Sequence, residues 1–184
     1  MNLAKYTPQE NEFMAEDELI EIEPQFKGDK ISFISGEFGP FRPAKPINVP
    51  LWLAIYLKQR QKCLVHPPLW MDVEFLSQVK KEERQTKDVF SEALPYYYFE
   101  MSQLVINECA DELPNHKQVR SLIEDIFELR KEKVIRTLKK IDPDTPVAFL
   151  SQPGSAELNF YREAFTNGYT LTNRIKNQID LMQS

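Results

Sequence analysis

Six of the chain's thirteen prolines, Pro40, Pro43, Pro46, Pro50, Pro67 and Pro68, crowd into one stretch. A proline ring fixes φ, removes a backbone donor and pushes the preceding residue out of the helical region, so no long helix or central strand can run through such a stretch. The prolines therefore divide the sequence into two regimes. Before and within the stretch the pattern is short and strand-like. Leu19 to Glu23 and Lys30 to Ser35 alternate with period two, and Pro24 to Asp29 lie between them as turn material, which predicts a hairpin in a small sheet. Gly36 to Pro43 is expected to be a structured loop carrying Phe38 and Phe41. Pro50 is suited to open a helix over Leu51 to Gln61, with Trp52, Ile55 and Tyr56 on one face and Lys58, Arg60 and Lys62 as a basic cluster at its C-terminal end. Cys63 to Val65 reads as a short strand stopped by Pro67 and Pro68, which puts a boundary at about residue 66.

Beyond that point the period becomes helical. Asp72 can cap a helix to about Lys87, with Val73, Leu76 and Val79 inward and Lys80 to Arg84 in water. Pro95 opens a second helix ending near Cys109, with Tyr97, Met101, Leu104 and Val105 on one side. A third runs from Asn115 to Ile141, roughly seven turns, with Gln118 in the capping position. Its apolar stripe is Val119, Leu122, Ile123, Ile126, Phe127, Val134, Leu138 and Ile141. A last helix begins at about Ala156, with Leu158, Tyr161, Phe165, Tyr169 and Ile175 inward. The predicted fold class is α+β, mainly α-helical: a small β-rich domain over residues 1–65 followed by a larger four-helix domain over 66–184.

A hydrophobic share of 42% is too rich for a disordered chain. No apolar run approaches the ~20 residues that cross a bilayer, and the N-terminus lacks a basic-then-apolar leader pattern, so neither membrane insertion nor standard secretion is expected. Cys63 and Cys109 are too few and too far apart to suggest a disulfide framework. The net charge of −5, with seven acids between Glu10 and Glu23, argues against a free-standing nucleic-acid binder.

Motifs for chemistry are missing. There is no phosphate-binding loop, and Gly36 and Gly39 are flanked by Phe and Pro. Cys63, His66, Cys109 and His116 lack zinc-finger spacing, and no serine sits in a nucleophile elbow. The acid pairs Glu82–Glu83, Asp111–Glu112 and Glu124–Asp125 read as solvated faces, as does the basic run Arg130, Lys131, Lys133, Arg136, Lys139 and Lys140. No catalytic, cofactor-binding or metal site is expected. What remains is a surplus of large apolar side chains. A sheet unit of about 65 residues has little interior for Phe33, Phe38, Phe41, Trp52, Tyr56 and Leu57, and the run Tyr96-Tyr97-Tyr98-Phe99 covers every side of a helix. Phe41, Trp52, Tyr56, Tyr96, Tyr98, Val134 and Leu138 are accordingly candidate interface residues of a non-enzymatic, obligately assembled interaction protein.

Several runs carry a resemblance. They are Gly39-Pro40-Phe41, Val49 to Ile55, Leu57 to Cys63, Pro67-Pro68 and Trp70 to Glu74, extended by Pro95-Tyr96-Tyr97, Arg120 to Leu122 and Asp125 to Phe127. In these, up to about residue 140, the chain resembles the second partner-of-Sld-five subunit family of the GINS complex. The resemblance implies a β-rich domain followed by a helical one. It also implies a non-catalytic place in a nuclear heterotetramer with three sister subunits, packed chiefly through the helical domains. It further implies a role in initiation and elongation of chromosomal DNA replication, beside the Mcm helicase ring, its cell-division-cycle cofactor and the replicative polymerase machinery. DNA contact would be at most indirect. A competing reading, a direct DNA-binding module, would use the basic cluster at 58–62 and the basic helix 130–140.

Overall fold

The protein is seen as a computed structural model that describes residues 7–86, 89–139 and 152–162. Thr7 accepts a hydrogen bond from the Glu10 amide at 3.2 Å, and the Glu10 carboxylate accepts one from the Thr7 amide at 2.6 Å. This reciprocal cap opens helix α1, Pro8–Ala15, a helix that the acid-rich composition concealed.

Strand β1, Leu19–Pro24, lies at the centre of a three-stranded antiparallel sheet, between β4, Ile47–Pro50, and β5, Cys63–His66. The alternation read from the sequence is real. Ile20 and Ile22 are buried, and their cross-strand partners Val49 and Val65 are buried with them, while Glu21 faces out opposite Asn48 and His66. The expected hairpin between 19–23 and 30–35 does not form. Instead β2, Ile31–Phe33, folds back through Ile34 and Ser35 onto β3, Gly36–Phe38, as a separate two-stranded ribbon. The reason lies in the side chains. Both edges of β1 need apolar partners on one face, which Val49 and Val65 provide, whereas every residue of β2 is exposed. Gly36 to Phe38 is thus strand and not loop. Gly36 supports the tight reversal with a φ of 139°, open to glycine alone.

Helix α2, Leu51–Gln59, starts directly after β4 and buries Leu51, Leu53 and Ala54. The face shared by Trp52, Ile55 and Tyr56 is the outer one: Trp52 and Ile55 are half-buried and Tyr56 is exposed. The helix stops two residues earlier than expected because Gln61, at φ 56°, reverses the chain into β5.

A single 3₁₀ turn, Leu69–Met71, leads to α3, Val73–Gln85, which Asp72 caps as expected by accepting the Glu74 and Phe75 amides at 2.9 and 3.2 Å. Helix α4, Tyr98–Glu108, follows a turn at Pro95, and α5, His116–Lys139, is 24 residues long, about 36 Å. Lys80 meets Asp125 and Glu83 meets Arg130, so α3 runs beside α5 in the same direction. Phe99 meets Phe127 and Asn107 meets Arg120, so α4 runs against it. A further helix, α6, covers residues 155–162, where Glu157 takes the inward position and Leu158 and Tyr161 are half-buried. Ile141, Phe165, Tyr169 and Ile175, expected inward, lie outside the described residues. The fold is α+β and mainly helical, as predicted. Its interior is continuous, with Ile22, Val49 and Leu51 of the sheet region sharing one buried cluster with Leu76, Met101 and Ile123 of the helices.

Both cysteines are free and buried in this interior. Burial, with the nearby Glu112 charge adding to it, pushes the Cys63 thiol up to about 11 and the Cys109 thiol up to about 12. Because the thiolate is the reactive form, the native protein should leave both unmodified by a thiol reagent at pH 8 and yield two equivalents on denaturation. Rapid native labelling would contradict this packing.

Candidate interaction surface

The charges of the long helix do not form the solvated face expected of them. Arg130 and Lys133 are buried, as is Glu83 of the acid pair. Arg130 Nε donates to Glu83 Oε1 at 2.8 Å and Nη2 to the Ser91 carbonyl at 2.8 Å, while Lys133 Nζ donates to Glu83 Oε2 and, at 2.9 Å each, to Thr86 Oγ1 and the Val89 carbonyl. Glu157 of α6 closes the cluster, accepting the Tyr98 hydroxyl at 2.5 Å and an Arg130 Nη1 contact at 3.5 Å. The Arg130 guanidinium also lies 5.0 Å from the Tyr98 ring centre and 5.3 Å from that of Phe90. Burial by itself would pull the Arg130 pKa down, but Glu157, Tyr98 and Glu83 outweigh it and hold the pKa above its ordinary value. Burial, reinforced by Glu157, keeps the Tyr98 phenol well above its own. The cluster ties α3, α4, α5 and α6 together and leaves Arg130 and Lys133 no access to a DNA backbone. The remaining cations of this run that pair do so along the helix, Lys131 with Glu128 at 2.7 Å and Arg136 with Glu132 at 3.2 Å.

The first cation of the 58–62 cluster is also occupied within the chain. Lys58 reaches Asp111 at 2.8 Å and Glu112 at 2.6 Å, and these hydrogen bonds outweigh the burial that would lower its pKa, leaving it raised. Glu112 Oε2 in turn accepts the Val65 amide at 2.7 Å, and Gln59 donates to Glu108 at 2.9 Å. The turn after α4 is thereby clasped to α2 and β5. Glu112 is half-buried and paired, where a solvated acid was expected.

Of the seven candidate interface residues, Phe41, Tyr98 and Val134 are buried within the chain itself, so their side chains are not available to a partner. Phe41 stacks on Phe26 at 5.2 Å and Tyr98 enters the charge cluster. Val134 shares the inward side of α5 with Ile126, Arg130 and Lys133. Trp52 is half-buried beneath Phe33, whose ring meets it edge-on at 5.1 Å. Tyr56 is exposed with Arg60 4.1 Å above its ring, and Tyr96 is exposed with its ring against Tyr97 at 4.7 Å. Leu138 belongs to the last turn of α5, and its side chain lies outside the described residues. The four-aromatic run is less of a surplus than predicted, because Tyr98 turns inward and Phe99 packs on Phe127 at 4.4 Å.

Exposed apolar side chains gather instead in two places. One is the β2–β3 ribbon with α2, where Ile31, Phe33, Ile34 and Tyr56 are exposed. The other surrounds a cleft between α1, the Pro95–Tyr97 turn and α6, lined by Asn11, Met14, Tyr96, Ser155 and Leu158, with Phe13 exposed nearby on α1. Each was legible only in part, through Tyr56 in the first and Tyr96 in the second. Ile31 and Phe33 had the alternation of a half-buried strand, and α1 was not foreseen.

Comparison with known proteins supplies the context. A family model described as the PSF2 N-terminal domain matches residues 7–66, and one described as the GINS complex protein helical bundle domain matches residues 70–176. The chain is 46% identical over 125 residues to the DNA replication complex GINS protein PSF2 of Homo sapiens, covering 68% of this chain and 67% of the human protein. The Xenopus laevis protein of the same name is 44% identical over 125 residues, with the same coverage. The Schizosaccharomyces pombe protein is 32% identical over 160 residues, covering 87% of this chain and 85% of its relative.

Proposed function

Because the chain belongs to the PSF2 family of GINS complex proteins, we propose that it is a non-catalytic structural subunit of a nuclear GINS heterotetramer. In this reading it packs with three sister subunits and serves initiation and elongation of chromosomal DNA replication. It would work beside the Mcm ring, which supplies the ATP hydrolysis, the cell-division-cycle protein associated with that ring, and the replicative polymerase machinery. The observation that carries the reading is the division of labour among side chains. The charged groups that could do chemistry, Glu83, Arg130, Lys133 and Glu157, are spent inside the fold, while the surface presents Phe13, Ile34, Tyr56, Leu69 and Tyr96. Apolar side chains so exposed fit a protein that lives in an assembly.

The β-rich part, residues 1–65, and the helical part, residues 66–184, act in this reading as two modules of one subunit, with sister contacts on the helical part through Tyr96 and the last turn of α5 at Leu138. Co-expression with the three sister subunits followed by sizing should give one equimolar four-protein particle, and the chain expressed alone should self-associate. Tyr96→Asp combined with Leu138→Asp should reduce co-purification severely while circular dichroism of the chain is kept. A chain that elutes as a monomer whether or not its sisters are present would overturn the proposal.

A further inference from the structure

The β2–β3 ribbon presents an apolar face to water. Ile31 and Phe33 are exposed, Ile34 at the turn is fully so, and the Phe33–Trp52 contact lays this face against α2. One helical turn beyond Trp52 stands Tyr56, beneath Arg60. Cations stand along the segments that carry this apolar area and those bonded to them. The backbone of Gly39 comes so close to Lys30 that a Cβ on it would lie 3.0 Å from the Lys30 Cα. Gly28 and Phe41 exchange backbone hydrogen bonds of 3.0 and 2.8 Å, which sets Lys27 beside Arg42. The Ala44 amide bonds to the Pro24 carbonyl and the Gln25 amide to the Lys62 carbonyl, so Lys45 and Lys62 flank the same short segment. Lys27, Lys30, Arg42, Lys45, Arg60 and Lys62 are all exposed, and none forms an ion pair among the described residues. The only carboxylates in residues 27–45 and 56–62 are Asp29 and Glu37, and Glu37 is engaged by Ser32 at 3.2 Å.

We propose that this face docks a partner protein through a segment in which carboxylates alternate with aliphatic or aromatic side chains, a partner distinct from the sister subunits. Charge and apolar area together select that chemistry. A nucleic-acid strand would satisfy the cations and could stack on Tyr56 and Phe33, but it would leave Ile31 and Ile34 in water. An uncharged apolar surface would cover the isoleucines but desolvate six cations without counter-charge. An acidic amphipathic segment meets both demands. The assignment to a non-sister partner rests on the proposed packing of sister subunits on the helical part.

The test uses the assembled four-subunit complex and three fluorescent probes: a sixteen-residue peptide alternating Glu or Asp with Leu or Phe, an oligoglutamate of equal charge, and a sixteen-nucleotide oligo-dT. The alternating peptide should bind at least about tenfold more tightly than either comparator. Ile34→Asp and the pair Lys30→Glu with Arg60→Glu should each weaken it by about tenfold or more, while the four-subunit particle elutes unchanged. Oligo-dT binding as tightly as the peptide would make this a nucleic-acid surface and overturn the proposal, as would undetectable peptide binding or an Ile34→Asp complex that binds normally. Loss of the four-subunit particle in Ile34→Asp would assign the face to a sister subunit and equally overturn it, leaving the subunit role itself intact.

Discussion

Glu83→Ala is expected to destabilise the helical part by about 3–5 kcal/mol, the cost of stranding buried charge after one partner of an ion pair is removed. Among the described residues, Glu83 is the only carboxylate that Lys133 reaches and the nearer of the two that Arg130 reaches. Among the described residues its loss leaves Lys133 the Thr86 hydroxyl and the Val89 carbonyl, and leaves Arg130 the Ser91 carbonyl and a 3.5 Å contact to Glu157. For a chain of this size the loss should lower the melting temperature by about 6–20 °C. The control separates lost attraction from stranded charge: Glu83→Leu with Arg130→Met, Lys133→Leu and Glu157→Gln, the last so that no buried carboxylate is left without its cation, should recover much of the deficit, because packed neutral groups can replace a buried ionic cluster at little net cost. Denaturant unfolding of the two variants checks both statements. A deficit below about 1 kcal/mol for Glu83→Ala would mean that water reaches the cluster.

Val134→Asp is expected to unfold the helical part and not merely to block assembly. Its side chain is wholly buried, and an unpaired carboxylate there meets a desolvation penalty of several kcal/mol. The next residue is the contrast. Ile135 is 39% exposed, so Ile135→Asp should stay within about 0.5 kcal/mol of the parent. Thermal melts followed by circular dichroism distinguish the two, and a Val134→Asp chain with a normal melt would show that the end of α5 is loosely packed.

Signals that act within a few residues were legible in the sequence. Asp72 capping α3, the Pro-Pro stop after β5 and the helical period of α5 all reappear in the structure. What escaped was pairing over distance. The partners of β1 lie 25 or more residues away, and their choice depends on which face of Val49 and Val65 is buried. Arg130 reads as solvated from composition because Glu83 and Glu157 are brought to it from 47 residues before and 27 after. One local clue was available, since Arg130 and Val134 continue the i, i+4 inward row that passes through Ile126. The misplaced candidates Phe41, Tyr98 and Val134 have different causes: Tyr98 is drawn inward by Glu157 from 59 residues away, and Val134 by the inward row of α5 that holds Arg130. Phe41 reads as surplus against a small sheet unit standing alone, whereas the interior runs on into the helices and has room for it.

The sheet's two free margins bear on how so apolar a surface avoids polymerising. Along β5 the outward Val65 amide is plugged by the Glu112 carboxylate. At the other margin β4 is only four residues long, preceded by Pro46 and ending in Pro50, neither of which has an N–H to offer. A strand from another molecule therefore finds few backbone groups to template on, and edge-to-edge stacking is discouraged at both margins. At this sheet recognition is left to side chains, a mode of attachment that can be selective, because side chains differ from one protein to the next and backbone amides do not.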